Sequence, residues 1–477
     1  MPRIWSAQGS ARGVRFSASP TAGTLSGKLL ADFFSLARDY RNVLLATWPL
    51  PGLILTSMTG SREAVITGVG VVSPIGIGRE AFWHSLLERR SGVKSLPAFV
   101  DSGLAVQFGA EITDFDPKEY VTPRKSLKVM SRNIQLGFTA AELARQDAAF
   151  QPGSADPERF GVILGSDPIY LEPEELIEAY RSCVVDGQFR FDQWGPRALG
   201  EMYPLWMLKY LPNMPACHIA IAQDARGPNN TITLSEVSSL LAIAEAMRVI
   251  ERGHADILIA GGTGSRIHPL SWVFRTGEYI SGRMSDPQAA SRPFDADRDG
   301  MVCGEGAAAL VMESREHAEA RGARILARVV SYASTFEAPS NRPATGRAIM
   351  SGIRQAMASA QLTPDKLSHV NAHGVSTVQD DAVEAGAIRE ALGGVPVTAP
   401  KSFFGNLGAG TGAVEAVASI LALASGEVPA TLNYERPDPN CPIEVIHGSS
   451  YHSDQKAALL LNQASTGQSV ALVIEAA

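Results

Sequence analysis

The chain has 477 residues, 45% of them hydrophobic and 19% charged, with 44 Gly, 29 Pro and a formal net charge of −7. That length and apolar share support a large globular core or two fused halves, and the acidic balance without a basic stripe argues against nucleic acid or an anionic membrane as a partner. Cys183, Cys217, Cys303 and Cys441 form no C-x-x-C pair, which argues against a disulfide framework or a zinc knuckle and fits a reducing, cytoplasmic setting.

Residues 1–57 differ from the rest. Met1 to Ala31 contain Arg, Ser, Gly and Ala but no Asp or Glu, the composition of a disordered leader, a transit segment or a misassigned start. Met58 is an alternative start, because a domain opens cleanly after it. The run "NVLLATWPLPGLILTSM" is interrupted by Pro49 and Pro51 and is short for a membrane span. Buried strands are expected from "AVITGVGVV" (64–72), "FGVILGS" (160–166), "ADILIAGGTGS" (255–265), "AALVMES" (308–314), "ILARVVSYAST" (325–335), "LSHVNAHG" (367–374) and "SVALVIEA" (469–476), since each run is apolar on both faces. Helical patterns lie between them in "SLLAIAEAMRVIERG", "GRAIMSGIRQAMASAQL" and "GAVEAVASILALASG", with Gly or a turn near the ends of the last two. Strands alternating with helices predict α/β layers. Early and late strands of similar order hint at an internal duplication. The expected halves are 62–314, with an irregular insertion at about 167–226, and 315–477.

Some motifs read blandly. Gly68, Gly70 and Gly76 lack the G-x-G-x-x-G spacing and a following acidic ribose ligand. "DADRDG" (295–300) resembles a calcium loop but lacks its terminal Glu. Gly261 and Gly262 read as close-packing glycines after a central strand.

The corner "GPNNTITLSEVSSLLAIAEAMRVIERG" (227–253) carries a carboxylate, Glu236, where a strand becomes a helix. Together with "VITGVGVVSPIGIG", "DPQAASRPFDADRDGMVCGEGAAALVMES", "VNAHGVSTVQDDAVEA" and "PKSFFGNLGAGTGAVEAVASILAL", the chain resembles the 3-oxoacyl-acyl-carrier-protein synthases, of the synthase II type, and the type II polyketide ketosynthases. The resemblance implies a thiolase-like fold of duplicated halves in five α/β/α/β/α layers. It also implies a homodimer, or a heterodimer with a cysteine-containing ketosynthase. No separate cofactor is implied; substrates ride on the phosphopantetheine of an acyl carrier protein.

In that family this corner holds the nucleophilic cysteine. A helix N-terminus stabilises a thiolate, and nearby backbone N–H groups form an oxyanion hole. By the resemblance Glu236 takes the cysteine position, His373 matches the first family histidine, and Asn406 falls at the second. Lys401 and Glu415 match a buried pair that organises the site, and Asp381 a supporting acid. Thr377 matches one of two threonines that touch the carrier arm; the other is Val375. In the last loop "NQASTGQSV" (462–470), Ala464 and Thr466 replace aromatics and Gln468 a glycine, so the gate is altered. No metal set is recognisable.

Three functions compete. The first is a non-condensing, chain-length-factor-like pseudoenzyme that partners an active ketosynthase in fatty acid or polyketide biosynthesis. The second is a malonyl-carrier decarboxylase in which protonated Glu236 imitates a glutamine. The third is a condensing synthase with an atypical site.

Overall fold

Among the described residues one continuous sheet has twelve strands, and ten of them fall into two sets whose order repeats. The first set is β1 (Ala64–Ser73), β2 (Phe160–Ser166), β3 (Asn229–Ile232), β4 (Ile257–Ser265) and β5 (Glu305–Ser314). The second is β6 (Ala327–Phe336), β7 (Leu367–Asn371), β8 (Pro396–Thr398), β9 (Ala457–Gln463) and β10 (Gln468–Ala476). Across the sheet the strands run β3-β2-β4-β5-β1, then β6-β10-β9-β7-β8. In each set the second strand lies parallel to the third and fourth, and the fifth is antiparallel to the fourth and first. The sets meet at the pairs Val65↔Arg328 and Ile66↔Ala327. The duplication hinted at by the sequence is therefore present as a repeated topology. This computed structural model describes residues 62–477 apart from 104–105, 152, 275–278 and 339–343; the expected leader and the Met58 start lie outside the described residues.

The layers follow from side-chain alternation. Along β5, Ala308, Leu310 and Met312 join one apolar cluster, while Ala307, Ala309 and Val311 join another. Along β10, Val470, Leu472 and Ile474 join the same central cluster, while Ala471 and Val473 face the opposite way. The central cluster holds the helices α3 (Ser238–Glu251) and α6 (Thr411–Ser425). The outer faces are covered by α1 (Arg132–Asp147) and α2 (Met214–Gln223) on the first half, and by α4 (Arg347–Ala360) and α5 (Val378–Leu392) on the second. These are the five α/β/α/β/α layers of the thiolase-like arrangement.

The stretch Gly408–Ser425 is long and apolar enough to cross a membrane, but 83% of it is buried in this central layer. A helix apolar all round is what a position between the two halves of the sheet demands. The segment between β2 and β3 is largely short helical turns before α2 begins.

Gly262 decides how closely the layers approach. A Cβ there would lie 2.5 Å from the Ala409 carbonyl oxygen and 2.6 Å from Ser239 Cβ. The contacts are backbone and helix, so neither can yield cheaply. Gly262→Val should lower stability by at least about 1–3 kcal/mol, the usual penalty for overpacking, read as a fall in thermal midpoint. An unchanged midpoint would mean that α3 does not pack on β4 as described.

Candidate active site

Glu236 sits on a locked corner. After β3 the chain turns at Ser235, whose φ of 55° is left-handed, a conformation sparsely used by residues with a Cβ. Ser238 Oγ holds it, accepting from the Leu234 N–H at 2.8 Å and donating to the Ser235 carbonyl at 2.6 Å. A 3-10 turn, Ser235–Val237, then leads into α3. Glu236 points inward and is 7% exposed.

Its main partner is a residue that the motif reading did not single out. Arg266, one residue past the end of β4, is 2% exposed. Its Nη1 lies 2.6 Å from Glu236 Oε1, and its Nη2 donates to Ser235 Oγ at 2.8 Å. Asn406 Nδ2 donates to the same Glu236 oxygen at 3.0 Å. Behind the guanidinium, Asp167 Oδ2 stands 3.9 Å from Nε and accepts the Ala409 N–H at 2.9 Å. The one available sequence signal was an arginine directly after the glycine-rich buried strand "LIAGGTGS".

Burial alone would raise the pKa of Glu236, but the Arg266 charge and the hydrogen bonds from Ser235 and Asn406 together outweigh it and hold the carboxyl well below its ordinary 4.5. Glu236 is a carboxylate. His373 moves the other way: burial, with the Lys401 and Arg266 charges, pushes it well below 6.5. It is neutral. Glu236 Oε2 and His373 Nδ1 are buried with no hydrogen-bond partner.

The other residues singled out by the sequence form a frame around this center. The His373 and Gly374 N–H groups donate to Glu384 at 2.8 Å each. Lys401 Nζ donates to Glu415 Oε1 at 2.6 Å, and Asn462 donates to Oε2 at 2.8 Å. Burial nonetheless pushes Glu415 up to about 7. Asp381 accepts from the N–H groups of Phe294, Val375 and Ser376, so it shapes the loop after His373; burial pushes it, too, up to about 7. Thr377 Oγ1 accepts from the Asp380 N–H at 3.2 Å and donates to Asp380 Oδ2 at 2.8 Å. Its hydroxyl is the N-cap of α5.

A cavity of about 670 Å³ is lined by Glu236, His373 and Asn406 together with Val375, Thr377, Ala464 and Gln468. Lys401, Glu415 and Asp381 stand behind that lining. Thr466 is not among the lining residues: it is exposed on the turn between β9 and β10, while its neighbours Ser465 and Gly467 do line the cavity. That turn is tight, with Ala464 and Gln468 paired through the backbone at 2.9 Å and Gly467 at φ 97°. Cys303 is buried and forms a backbone bridge with Asn406, consistent with a small packing residue. In the 295–300 turn, Asp295 accepts from the N–H groups of Asp297, Glu435 and Arg436, so its oxygens are used by the turn itself.

A buried corner at a central helix, facing a histidine and an amide across a duplicated sheet, defines a thiolase-like condensing-enzyme fold. Comparison with known families is more specific. Residues 61–318 match the beta-ketoacyl synthase N-terminal domain and residues 326–435 the C-terminal domain; the chain belongs to the beta-ketoacyl synthase family. It is 35% identical to 3-oxoacyl-[acyl-carrier-protein] synthase 2 of Synechocystis over 401 residues, covering 82% of this chain and 92% of that one. It is 36% identical to putative polyketide beta-ketoacyl synthase 1 of Streptomyces cyaneus over 396 residues, covering 81% and 91%. Among solved structures, it resembles a type II polyketide ketosynthase bound to the hexaketide and in complex with its acyl-carrier protein (AntDE:AntF), with TM-score 0.76, 30% identity, and coverage of 88% of this chain and all of that one. The ishigamide ketosynthase/chain length factor gives TM-score 0.76 and 26% identity, with the same coverage.

Two expectations follow. Arg266→Met leaves Glu236 buried without its ion partner and should destabilise the protein by about 3–5 kcal/mol, measured by denaturant titration. The lowered pKa of Glu236 also fixes a sign: its pH-dependent stabilisation is present above about pH 4.5 and lost as pH falls through the folded value. Wild type should therefore lose thermal midpoint faster than Glu236→Gln on acidification below that pH. Parallel profiles would show that Glu236 is not held ionised.

Proposed function

We propose that this protein is a non-condensing, chain-length-factor-like member of its family, shaping an acyl cavity as the partner of a cysteine-containing ketosynthase. The observation that carries this reading is the buried Arg266–Glu236 pair, with Nη1 2.6 Å from Oε1. By the resemblance Glu236 takes the nucleophile position. A carboxylate engaged by a guanidinium is a poor nucleophile, and any anhydride that it formed would hydrolyse far faster than a thioester. The neighbour described as a ketosynthase/chain length factor lends the reading support from outside the chain.

Decarboxylation of malonyl-carrier protein is less well supported. It needs a neutral donor set facing the developing enolate oxygen. Here Asn406 Nδ2 directs one of its hydrogens to Glu236 at 3.0 Å, and Glu236 is a carboxylate rather than the neutral acid that would imitate glutamine.

Intact-protein mass spectrometry after incubation with malonyl-loaded carrier protein separates these readings. The expected result for the purified protein alone is no acyl mass on the chain and no conversion to acetyl-carrier above the no-enzyme control. Co-expression with a cysteine-containing ketosynthase encoded beside it should give a complex that co-purifies. Conversion that is lost in His373→Ala would instead establish a decarboxylase. An acyl adduct that vanishes in Glu236→Ala would establish a covalent enzyme.

A further inference from the structure

The floor of the cavity has the chemistry of a carboxylate-binding site that the chain fills itself. Arg266 directs Nη1 to Glu236 and Nη2 to Ser235, at 2.6 and 2.8 Å. Its far edge faces Asp167, with Nε 3.9 Å from Oδ2, and Asp167 is itself engaged by the Ala409 N–H. The guanidinium is thus oriented from both sides in a site where it is 2% exposed. A planar fork of donors held rigidly in a dry wall binds a carboxylate well. Glu236 supplies that carboxylate in cis.

The side-chain donors around it are each partly engaged. One hydrogen of Asn406 Nδ2 goes to Glu236, the Thr377 hydroxyl donates to Asp380, and one hydrogen each of Gln463 Nε2 and Gln468 Nε2 goes to Glu384 at 2.9 Å and to Ser334 at 2.6 Å. Lys401 Nζ is held by Glu415. A ligand carboxylate reaching the floor would meet the Glu236 carboxylate, whose Oε2 has no hydrogen-bond partner, and the two like charges would repel at short range. Burying a charge without a partner is strongly disfavoured, whereas a neutral acyl chain has no such requirement.

We propose that Arg266 is a specificity-determining residue: by seating Glu236 in a carboxylate site, it makes the cavity selective for neutral acyl groups over acyl groups that end in a carboxylate. Removing Glu236 reopens the site to a small free carboxylate. The inference rests on the preceding reading of the cavity as an acyl site and names the substrate class it takes.

The test uses full-length protein and calorimetric titration with two amide-linked, unreactive ligands, hexanoyl-pantetheine and malonyl-pantetheine. Wild type should bind the hexanoyl amide at least about tenfold more tightly. Glu236→Ala should narrow or reverse that preference, and acetate should raise its thermal midpoint while leaving wild type unmoved. Adding Arg266→Met to Glu236→Ala should abolish the acetate effect. A purely structural arginine would change the midpoint without changing ligand preference. If Glu236→Ala does not fold, Glu236→Gln carries the preference measurement, and the wild-type comparison stands regardless. Equal binding of the two amides by wild type overturns this inference alone. Binding of neither overturns the acyl-site reading as well. A Glu236→Ala protein that folds and ignores acetate removes Arg266 from the role assigned to it.

Discussion

The buried pair of Glu236 and Arg266 ties the site together. Neither charge is tolerable alone at 7% and 2% exposure, because desolvation exceeds what a single hydrogen bond returns. Each therefore depends on the other, and both depend on residues from separate elements. Glu236 stands at the start of α3, Arg266 just past β4, Asp167 just past β2 and Asn406 in the turn before α6. The last belongs to the second set of strands and helices, so the ion pair with its amide partner spans the duplicated topology. A change at the corner carries consequences for every one of these elements.

The duplication explains why those elements converge. In each half the third strand is followed by the approach to the central helix, α3 in one case and α6 in the other. The two helices lie in one layer between the two halves of the sheet. Their N-terminal approaches meet, with Glu236 in one and Asn406 in the other joined at 3.0 Å. Small residues make that meeting possible. Gly264 lies where a Cβ would be 2.0 Å from the Leu407 carbonyl, and at Gly410 one would be 2.3 Å from the Gly306 carbonyl.

Around the ion pair, polarity is spent on holding backbone. Asp381 and Glu384 between them accept N–H groups from His373, Gly374, Val375 and Ser376, fixing the loop that carries the histidine. Arg298 closes the other side, donating to the Thr377 and Val378 carbonyls and to Asp438 at 2.7 Å. The tight turn between β9 and β10 leaves only small and amide side chains, Ala464, Ser465 and Gln468, at this part of the cavity lining. Oriented backbone and a neutral, buried imidazole are the result, beside a carboxylate that is already matched.

Much of the fold was legible in the residues. The runs at 64–72, 160–166 and 469–476 appear within a residue or so of their expected bounds, because strands buried on both faces must be apolar throughout. Strand β9, "AALLLNQ", was not among the expected runs. Helices α1 and α5 also escaped, because polar residues such as Gln135, Asp380 and Glu384 interrupt their apolar pattern. The motif residues His373, Asn406, Lys401, Glu415 and Asp381 were singled out through the family resemblance rather than from periodicity or spacing.

By itself, then, the sequence determined the layered α/β class, the family and the presence of a carboxylate at the helix corner, since these depend on local pattern and residue identity. Only the tertiary structure decided the state of that carboxylate. The helix N-terminus favours the ion and burial favours the acid, and the balance turns on a guanidinium 30 positions away in the chain but 2.6 Å away in space. Electrostatic energy depends on that distance and on the water excluded around it.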